Sequence, residues 1–345
     1  MQKVFVGISG GVDSAVSAAL LKEQGYDVTG AFIKIWRPEF IECPWQKERL
    51  DAMRICAHLG IPFKEIDLSD EYKKEVIDDM IANYTAGRTP NPDVLCNRHI
   101  KFGAFKKWAH ANGADLVATG HYAQVIRNGD RFELHRGKDT NKDQSYFLWR
   151  LTEKDLETTL FPIGGFTKPE VRALAEKFDL PVAAKKDSQG LCFVGEVSMR
   201  DFLARYIELK KGKVIDEHGV VIGEHDGAAL YTLGERHGFR IENATASEVP
   251  HYIVAIHAER NVLTVSADKE KAKRESVGLV DLSWVNGEPG DISAEAQARY
   301  RETPVAIRFE EGVVHFSEKH LAPPGQSLVI YDGNRLIGGG VVDVS

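Results

Sequence analysis

A glycine-rich stretch near the beginning of the sequence has the composition of a phosphate-binding turn. Residues 7–14 read Gly-Ile-Ser-Gly-Gly-Val-Asp-Ser and follow an apolar Val-Phe-Val run. Glycines allow successive backbone N–H groups to point at one anion, and a helix N-terminus adds a positive dipole end. The lysine that ends a Walker A loop is missing here. The stretch therefore predicts either a phosphate cradle or a tight strand–helix turn with Asp13 as a first-turn acid.

A cysteine with an acid before it and a base after it lies in residues 88–98. Asp93 precedes Cys96 by three residues, and two prolines stiffen the loop. Arg98 or a helix N-terminus would lower the pKa of such a thiol and favour the nucleophilic thiolate. The alternative is a rigid turn that holds an inert cysteine.

A second cysteine stretch occupies residues 185–196. Cys192 lies among apolar neighbours, which is typical of a buried core cysteine. Lys185 and Lys186 are close to it in sequence and would instead favour a thiolate. These residues alone leave both interpretations open.

Residues 141–149 combine basic, amide and aromatic side chains. Lys142 and Gln144 beside aromatic residues suit contact with phosphate and stacking of bases. The alternative is a helix start whose aromatic residues, Phe147 and Trp149, pack in the core. Phe147 and Trp149 can pack in the core whether or not Lys142 and Gln144 contact nucleic acid.

Strand and helix patterns alternate in the first third of the chain, which predicts a doubly wound parallel α/β sheet. Strands are predicted at 4–8, 28–35, 63–67 and 116–118, and helices at 12–24, 47–59, 70–86 with Ser69 as the cap, and 100–112. Ligands of such sheets bind beyond the carboxyl ends of the strands. Residues 7–14 follow one such end, and Thr119-Gly120-His121 follows another.

The secondary-structure pattern changes in the later part of the sequence. Asn128-Gly129 between two strand patterns predicts a hairpin, and helical patterns return at 152–160 and 168–178. After about residue 205, short strand patterns and turn residues dominate. We predict a catalytic domain at 1–206, a small β-rich linking domain at 207–270 and a C-terminal β-barrel at 275–345.

The composition of the 345 residues is that of a globular protein, with 43% hydrophobic residues. No apolar run is long enough to span a membrane, and the sequence begins with a strand pattern rather than a signal peptide. Four cysteines in such a chain favour reduced thiols and a cytoplasmic location. A net charge of −7 argues against a protein that coats nucleic acid non-specifically, although one basic groove remains compatible with it.

Taken together, these strings resemble the bacterial tRNA-specific 2-thiouridylases along almost the whole chain. The Ser-Gly-Gly-Val-Asp-Ser string is similar to the loop of N-type ATP pyrophosphatases, which cleave ATP to AMP and pyrophosphate. The similarity is specific because both cysteine contexts and the ATP loop occur in the order of the family. The matching stretches are 7–14, 86–101, 119–122, 141–148, 185–196, 231–238, 298–301, 324–327 and 338–342.

The resemblance implies an adenine nucleotide alpha hydrolase-like fold and an ATP-dependent sulfurtransferase that makes 2-thiouridine at the wobble position of tRNA. The C2 oxygen of the uracil would be adenylated and then replaced by sulfur from a cysteine persulfide. By the same resemblance Cys96 is the nucleophile, Cys192 carries the persulfide, and Asp93 is a candidate acid/base. The reaction would end in a Cys96–Cys192 disulfide or pass through released hydrosulfide.

The binding residues follow from the same resemblance. Mg²⁺ would accompany ATP near Asp13. The ATP site maps to Gly7, Ile8, Ser9, Gly10, Gly11, Val12, Asp13, Ser14, Ile33 and Gly120. The target base maps to Asn91, Pro92 and Asp93, and the tRNA contacts map to His121, Lys142, Asp143, Gln144, Arg299, Tyr300 and Gln326. The implied partners are tRNA with a wobble uridine and a sulfur-donor protein, either a cysteine desulfurase or a sulfur-relay protein.

Three other functions compete with this one. Another ATP pyrophosphatase that adenylates a small substrate would explain residues 7–14 but not the two cysteine stretches. An iron–sulfur-dependent tRNA thiolase would use cysteines among Cys43, Cys56, Cys96 and Cys192, but no CxxC pair is present, so a cluster is not favoured. A non-catalytic RNA-binding protein would not need the complete ATP loop.

Overall fold

The computed structural model describes residues 1–40, 45–186, 197–242 and 249–343. Its N-terminal part contains a five-stranded parallel sheet in the order β3-β2-β1-β4-β7. The strands of this part and the hairpin inserted in it are β1 (Lys3–Gly7), β2 (Asp27–Lys34), β3 (Phe63–Asp67), β4 (Leu116–Ala118), β5 (Ala123–Asn128), β6 (Arg131–Arg136) and β7 (Thr159–Leu160). The predicted doubly wound parallel sheet is confirmed.

Helices cover both faces of this sheet. The helices are α1 (Val12–Glu23), α2 (Trp45–Leu59), α3 (69–85), α4 (92–111), α5 (Glu153–Leu156), α6 (Lys168–Lys177) and α7 (Met199–Leu203). Both α3 and α4 contain a stretch of π-helical hydrogen bonding, at Lys73–Asp78 and at Cys96–Phe105.

Alternate residues of β1 pack in two different hydrophobic cores, as expected for a strand covered on both sides. Val4 and Val6 pack in a cluster with α1, α2 and α6. Phe5 packs on the other face in a cluster with α3 and α4, which includes Cys96. Because α4 runs over this second face, its first turns lie near the carboxyl edge of the sheet.

A smaller mixed sheet follows, in the order β10-β9-β8-β12-β11. Only the β8–β12 pair among these strands is parallel. Its strands are β8 (Gly212–Ile215), β9 (Val221–His225), β10 (Arg240–Ile241), β11 (Tyr252–His257) and β12 (Val262–Ser266). This sheet has a separate small core around Val214, Ile253 and Leu263.

The C-terminal part is a closed antiparallel barrel, because β13 pairs with β18 as well as with β16. The C-terminal barrel that the sequence predicted is thereby confirmed, whereas the exact domain boundaries stay a prediction. Its strands are β13 (Arg274–Trp284), β14 (Ile292–Gln297), β15 (Val305–Glu310), β16 (Val313–His320), β17 (Ser327–Asp332) and β18 (Arg335–Val342).

The predicted hairpin at Asn128-Gly129 is present as β5–β6, and it joins the barrel. β6 pairs antiparallel with β18, with Leu134 opposite Leu336. Arg136, the last residue of β6, packs on Tyr331 of the barrel, with its guanidinium 3.5 Å from the ring centre. The N-terminal part and the barrel therefore share one sheet.

Three local predictions were wrong. The pattern at 152–160 forms only the single turn α5 and then β7, because Thr159 pairs with Val117 at the edge of the parallel sheet. Ser69 is the first residue of α3 rather than its cap, which is Leu68. The helix predicted at 100–112 begins earlier, at Pro92. None of the helices in the described ranges combines the length and apolar character needed to span a bilayer.

Candidate functional site

The glycine loop between β1 and α1 is held against helix α2. Gly10 has a φ of +76°, and a Cβ at this position would lie 2.5 Å from the carbonyl oxygen of Glu48. Only glycine satisfies both conditions without displacing α2. The hydroxyls of Ser9 and Ser14 lie 3.2 Å apart, so both face the same side of the loop.

The turn after β4 packs directly on the first turn of α1. A Cβ on Gly120 would lie 2.7 Å from the backbone nitrogen of Ser14 and 2.8 Å from the carbonyl carbon of Asp13. The two stretches that follow strand ends in the sequence thus meet at the carboxyl edge of the sheet. Ile33, near the end of β2, also approaches the loop, since its Cδ1 would lie 3.9 Å from a Cβ on Gly7.

Asp13 accepts hydrogen bonds from two side chains, those of Lys168 and Tyr122, that no sequence motif assigns to it. The Lys168 Nζ donates to both carboxylate oxygens of Asp13, at 2.8 and 3.0 Å, and the Tyr122 hydroxyl donates to one of them at 2.8 Å. Lys168 is the first residue of α6, which begins with a Thr167–Glu170 capping box. The capping box predicts where the helix begins, but it does not predict that Lys168 contacts Asp13.

A second lysine, Lys185, binds the back of the glycine loop. Its Nζ donates to the Gly10 carbonyl oxygen and to the Asp51 carboxylate, each at 2.8 Å. Burial alone would raise the pKa of Asp51, but the hydrogen bonds and charges of Lys185 and Arg54 bring it below its usual value. The two lysines place positive charge on both sides of a loop that has no lysine of its own.

Cys96 lies in the second turn of α4. The side chain of Asn91 caps this helix by accepting from the Val94 N–H at 3.4 Å, and Pro92 occupies the first helical position. Cys96 is 7% exposed and packs in the core cluster that contains Phe5. The Cys96 thiol therefore lies close to the helix N-terminus but inside the core.

Polar side chains link α4, which carries Asp93 and Lys101, to the turn after β4, which carries His121. Burial raises the pKa of Asp93, and the charge of Lys101 acts in the opposite direction. The Lys101 Nζ lies 3.4 Å from the His121 Nε2, and the His121 Nδ1 lies 2.7 Å from the Thr119 hydroxyl. Burial, and then the charge of Lys101, lower the pKa of His121 well below its usual value, so this imidazole is neutral.

The side chains of Asp143 and Gln144 accept hydrogen bonds from other residues of the protein. Asp143 is 8% exposed, and its carboxylate accepts from the Gly137 N–H at 2.9 Å and from the Arg136 guanidinium at 3.1 Å. Gln144 Oε1 accepts from the Tyr122 N–H at 3.0 Å. Lys142 is partly exposed at the same turn. Contact of these residues with tRNA stays a prediction, as it does for the buried His121.

The predicted contacts on the barrel lie next to residues of the N-terminal part. The ring of Tyr300 is 4.5 Å from that of Phe147, whose carbonyl oxygen accepts from Asn97 of α4 at 3.1 Å. Arg299 is exposed and donates to the Leu233 carbonyl oxygen at 3.2 Å. Gln326 is partly exposed in the turn before β17. Among the predicted contacts on the barrel, Tyr300 thus lies close to α4.

The turn that holds Gln326 also contacts the loop before α4. The Thr89 N–H donates to the Pro324 carbonyl oxygen at 3.0 Å, and a Cβ on Gly325 would lie 2.8 Å from the Thr89 nitrogen. Gly325 has a φ of +85°. The barrel therefore fixes the position of the segment that leads into Asn91 and Cys96.

Cys56 and Cys96 are buried in different core clusters. Cys56 lies in the core cluster on the other face of the sheet from Cys96, beneath Gly30, and burial raises its pKa to about 11. Cys43 and Cys192 lie outside the described residues. Within the described ranges, no group of three or more His, Cys, Asp or Glu side chains is arranged to hold a metal ion.

Family models match three successive parts of the chain. Residues 2–196 match a tRNA methyl transferase HUP domain, and residues 200–267 match a tRNA methyl transferase PRC-barrel domain. Residues 274–342 match an aminomethyltransferase beta-barrel domain.

Curated relatives match the chain from end to end. A tRNA-specific 2-thiouridylase MnmA of Francisella philomiragia is 42% identical over 355 aligned positions, which cover 99% of this chain and 99% of the relative. A protein of the same name from Nitrosomonas eutropha is 45% identical, over 99% of this chain and 98% of its own length. A third, from Francisella tularensis, is 43% identical over 99% of both chains.

Proposed function

The chain belongs to the tRNA-specific 2-thiouridylase family, and on that premise we propose how its residues carry out the reaction. The activity is the ATP-dependent formation of 2-thiouridine in tRNA by a sulfurtransferase. Our proposal is that the wobble uridine is the target and that its C2 oxygen is adenylated before sulfur replaces it. The observation that carries this proposal is that Gly120 packs on the glycine loop while the adjacent His121 contacts Lys101, on the helix that carries Cys96.

ATP binds with its phosphates at residues 7–14 and its adenine near Ile33 and Gly120. The hydroxyls of Ser9 and Ser14 and the N-terminus of α1 supply donors. Lys168 supplies the cation that a Walker loop carries within its own sequence. This arrangement suits a departing pyrophosphate, because its negative charge increases as the α-phosphate bond breaks.

Mg²⁺ fits this donor set. Asp13 supplies one carboxylate, which is typical of Mg²⁺ sites completed by substrate phosphates and water. The ion would neutralise phosphate charge during adenylation. The ammonium of Lys168 now occupies both oxygens of Asp13 at 2.8 and 3.0 Å, so lysine and metal would share this carboxylate. An iron–sulfur cluster stays the less favoured alternative.

Sulfur replaces the adenylated oxygen beside α4. The target base binds at Asn91, Pro92 and Asp93, and the raised pKa of Asp93 suits a group that takes up and returns a proton. A persulfide on Cys192 attacks C2 of the base, and AMP leaves with its oxygen. Cys96 attacks the persulfide, which leaves a Cys96–Cys192 disulfide. In the second route Cys96 first releases hydrosulfide, which then attacks C2.

Binding of tRNA involves the α4 side of the molecule. The support for this is that Tyr300 stacks near Phe147 while Gln326 and Arg299 lie on the neighbouring barrel surface. We assign contacts to His121, Lys142, Asp143, Gln144, Arg299, Tyr300 and Gln326. The base must leave its stack to reach the cysteines, which costs least in a single-stranded anticodon loop.

Two further parts of the proposal concern the cellular context. A cysteine desulfurase or a sulfur-relay protein supplies the persulfide sulfur, since the reaction consumes one sulfur atom in each turnover. The protein works in the cytoplasm, where unmodified tRNA is available.

The direct test is a thiolation assay with ATP, Mg²⁺, a sulfide source and tRNA that lacks the modification. We expect mass spectrometry of the digested tRNA to show 2-thiouridine at the wobble position and one AMP formed for each thiolated base. Unchanged nucleoside content together with no AMP would contradict the proposal. An absorbance spectrum of the anaerobically purified protein tests the cluster alternative, because bound iron and sulfide absorb visible light.

A further inference from the structure

Lys101 connects the helix of Asp93 and Cys96 to the turn that packs on the glycine loop. It lies in the π-helical part of α4, on the same helix as Asp93 and Cys96. Its Nζ lies 3.4 Å from the Nε2 of His121. His121 directly follows Gly120, which packs on Asp13 and Ser14 of the glycine loop. The ammonium thus lies where α4 meets the edge of the ATP site.

The ammonium is held in place by a rigid partner. His121 is 7% exposed, and its ring packs against both Phe102 and Phe161, with ring centres 5.9 and 5.8 Å away. A neutral imidazole that accepts from Lys101 at Nε2 carries its proton on Nδ1 and donates it to the Thr119 hydroxyl, 2.7 Å away. This chain of contacts fixes the direction in which Lys101 points.

Lys101 and Asp93 influence each other without touching. The charge of Lys101 acts on the carboxyl of Asp93, but within the described part of the chain no ion pair shorter than 4.0 Å joins them. An ammonium that is not ion-paired with this carboxylate keeps N–H donors for a substrate oxygen that becomes charged.

We propose that Lys101 is a further catalytic residue, which stabilises the charge on the α-phosphate while the uracil oxygen is adenylated; this rests on the proposed function. In that step the bond between the uracil O2 and the α-phosphorus forms as the bond to the bridging oxygen breaks. The electron pair leaves with pyrophosphate, and the N3 proton passes to the Asp93 carboxylate. Lys101 keeps its proton throughout and donates to a non-bridging oxygen of the α-phosphate.

The test isolates adenylation from sulfur transfer. Wild-type protein and variants are mixed with ATP labelled at the α-phosphate, Mg²⁺ and unmodified tRNA, with no sulfur source. Label retained on tRNA and pyrophosphate released are measured in a single turnover. We expect Lys101→Met to lower the rate about 100-fold to 1,000-fold, as for removal of one charge-stabilising donor. Its dissociation constants for tRNA and for ATP should stay within about threefold.

Lys101→Gln separates charge from position. Its amide keeps a donor for His121 while the positive charge is lost, so we expect a rate loss of similar size to that of Lys101→Met. This variant also provides the test if Lys101→Met does not fold. The matched control is Lys107→Met, which removes an exposed lysine from the same helix and should leave the rate within twofold.

Two results would overturn the assignment. One is an adenylation rate within threefold of the wild type in both Lys101 variants. The other is a loss of tRNA affinity that accounts for the whole rate loss, which would make Lys101 a tRNA-binding residue instead. Failure of the wild type itself to label tRNA would contradict the adenylation step of the proposed function, so the two failures are distinguishable.

Discussion

The nucleotide half of the candidate site, formed by residues 7–14 with Lys168 and Lys185, differs in its electrostatics from the sulfur half, formed by Asp93, Cys96, Asn97 and Lys101. In the nucleotide half, carboxylates and lysines already pair, Asp13 with Lys168 and Asp51 with Lys185. These pairs hold the loop in shape before ATP arrives.

The sulfur half contains buried polar groups whose interactions are incomplete. Burial raises the pKa of Asp93, which means that its charged form is poorly solvated. The Oδ1 of Asn97 is buried without a hydrogen-bond partner among the described residues. Such groups cost stability unless a ligand satisfies them. We infer that the nucleotide half is preorganised by its own charges, whereas the sulfur half is completed when its substrate binds.

The largest expected effect separates sulfur transfer from adenylation. Cys96→Ser should lower 2-thiouridine formation at least about 1,000-fold, because a hydroxyl cannot accept or release the persulfide sulfur. Label transfer from ATP to tRNA needs the nucleotide half together with Asp93 and Lys101 but not the Cys96 thiol, so it should stay within about threefold. Thiolation is measured by mass spectrometry and adenylation by retained label. Equal loss of both activities would contradict the separation.

Cys56→Ala is the control for this experiment. Cys56 is as buried as Cys96 but lies on the other face of the sheet. Its replacement leaves a small cavity that should cost about 1 kcal/mol of unfolding free energy. Thiolation by the folded variant should remain within about twofold of the wild type.

Removing a charge from the nucleotide half should reduce both activity and stability. Lys168→Met should slow adenylation about 100-fold. It leaves Asp13 without its cation, and we expect a loss of about 1–2 kcal/mol in unfolding free energy for this partly buried pair. Denaturant titration measures the second effect. Lys177→Met is the control on the same helix, since its pair with Glu23 is exposed. A stability equal to that of the wild type would show that the pair does not preorganise the loop.

Removing a charge from the sulfur half should reduce activity but increase stability. Asp93→Asn should slow thiolation about 100-fold by removing the proton acceptor. The folded-state pKa of Asp93 is raised, so its ionisation opposes folding above the usual pKa of 3.8. At pH 7.5 the amide should therefore add about 0.5–1 kcal/mol to the unfolding free energy. A loss of stability would contradict the contrast between the halves.

The smallest effect concerns the pH dependence of stability. His121 has a folded pKa well below 6.5, so the unfolded chain binds a proton near that pH that the folded chain does not. Stability should therefore fall as pH decreases through about 6.5, by up to about 1.4 kcal/mol per pH unit from this residue. His121→Gln should show a shallower decrease between pH 6.5 and 5. Identical slopes would show that the imidazole is not kept neutral.

Local patterns predicted the parallel sheet, the glycine loop and the meeting of residues 7–14 with Gly120, because each depends on a strand and the turn that follows it. The start of α4 was missed although Asn91 and Pro92 are a helix cap and a first-turn proline. The two prolines predict a rigid loop, whereas in the structure only Pro90 precedes the helix and Pro92 lies in its first turn.

Contacts between distant parts of the chain could not be predicted in this way. Lys168 reaches Asp13 across 155 positions, and Lys185 reaches Gly10 across 175. Lys101 and His121 come from different elements, and their contact depends on how α4 crosses the sheet. Strand β7 was likewise mistaken for helix because only its pairing with β4 makes it a strand.

The shared sheet of β6 and β18 has a consequence for biosynthesis. The ribosome makes β6 at residues 131–136 and reaches its partner β18 only at residues 335–342. During that interval the edge of β6 has unpaired backbone groups, which can pair with strands of other chains. A nascent chain released early would carry this exposed edge, so premature termination should yield an aggregation-prone product rather than an independent catalytic domain.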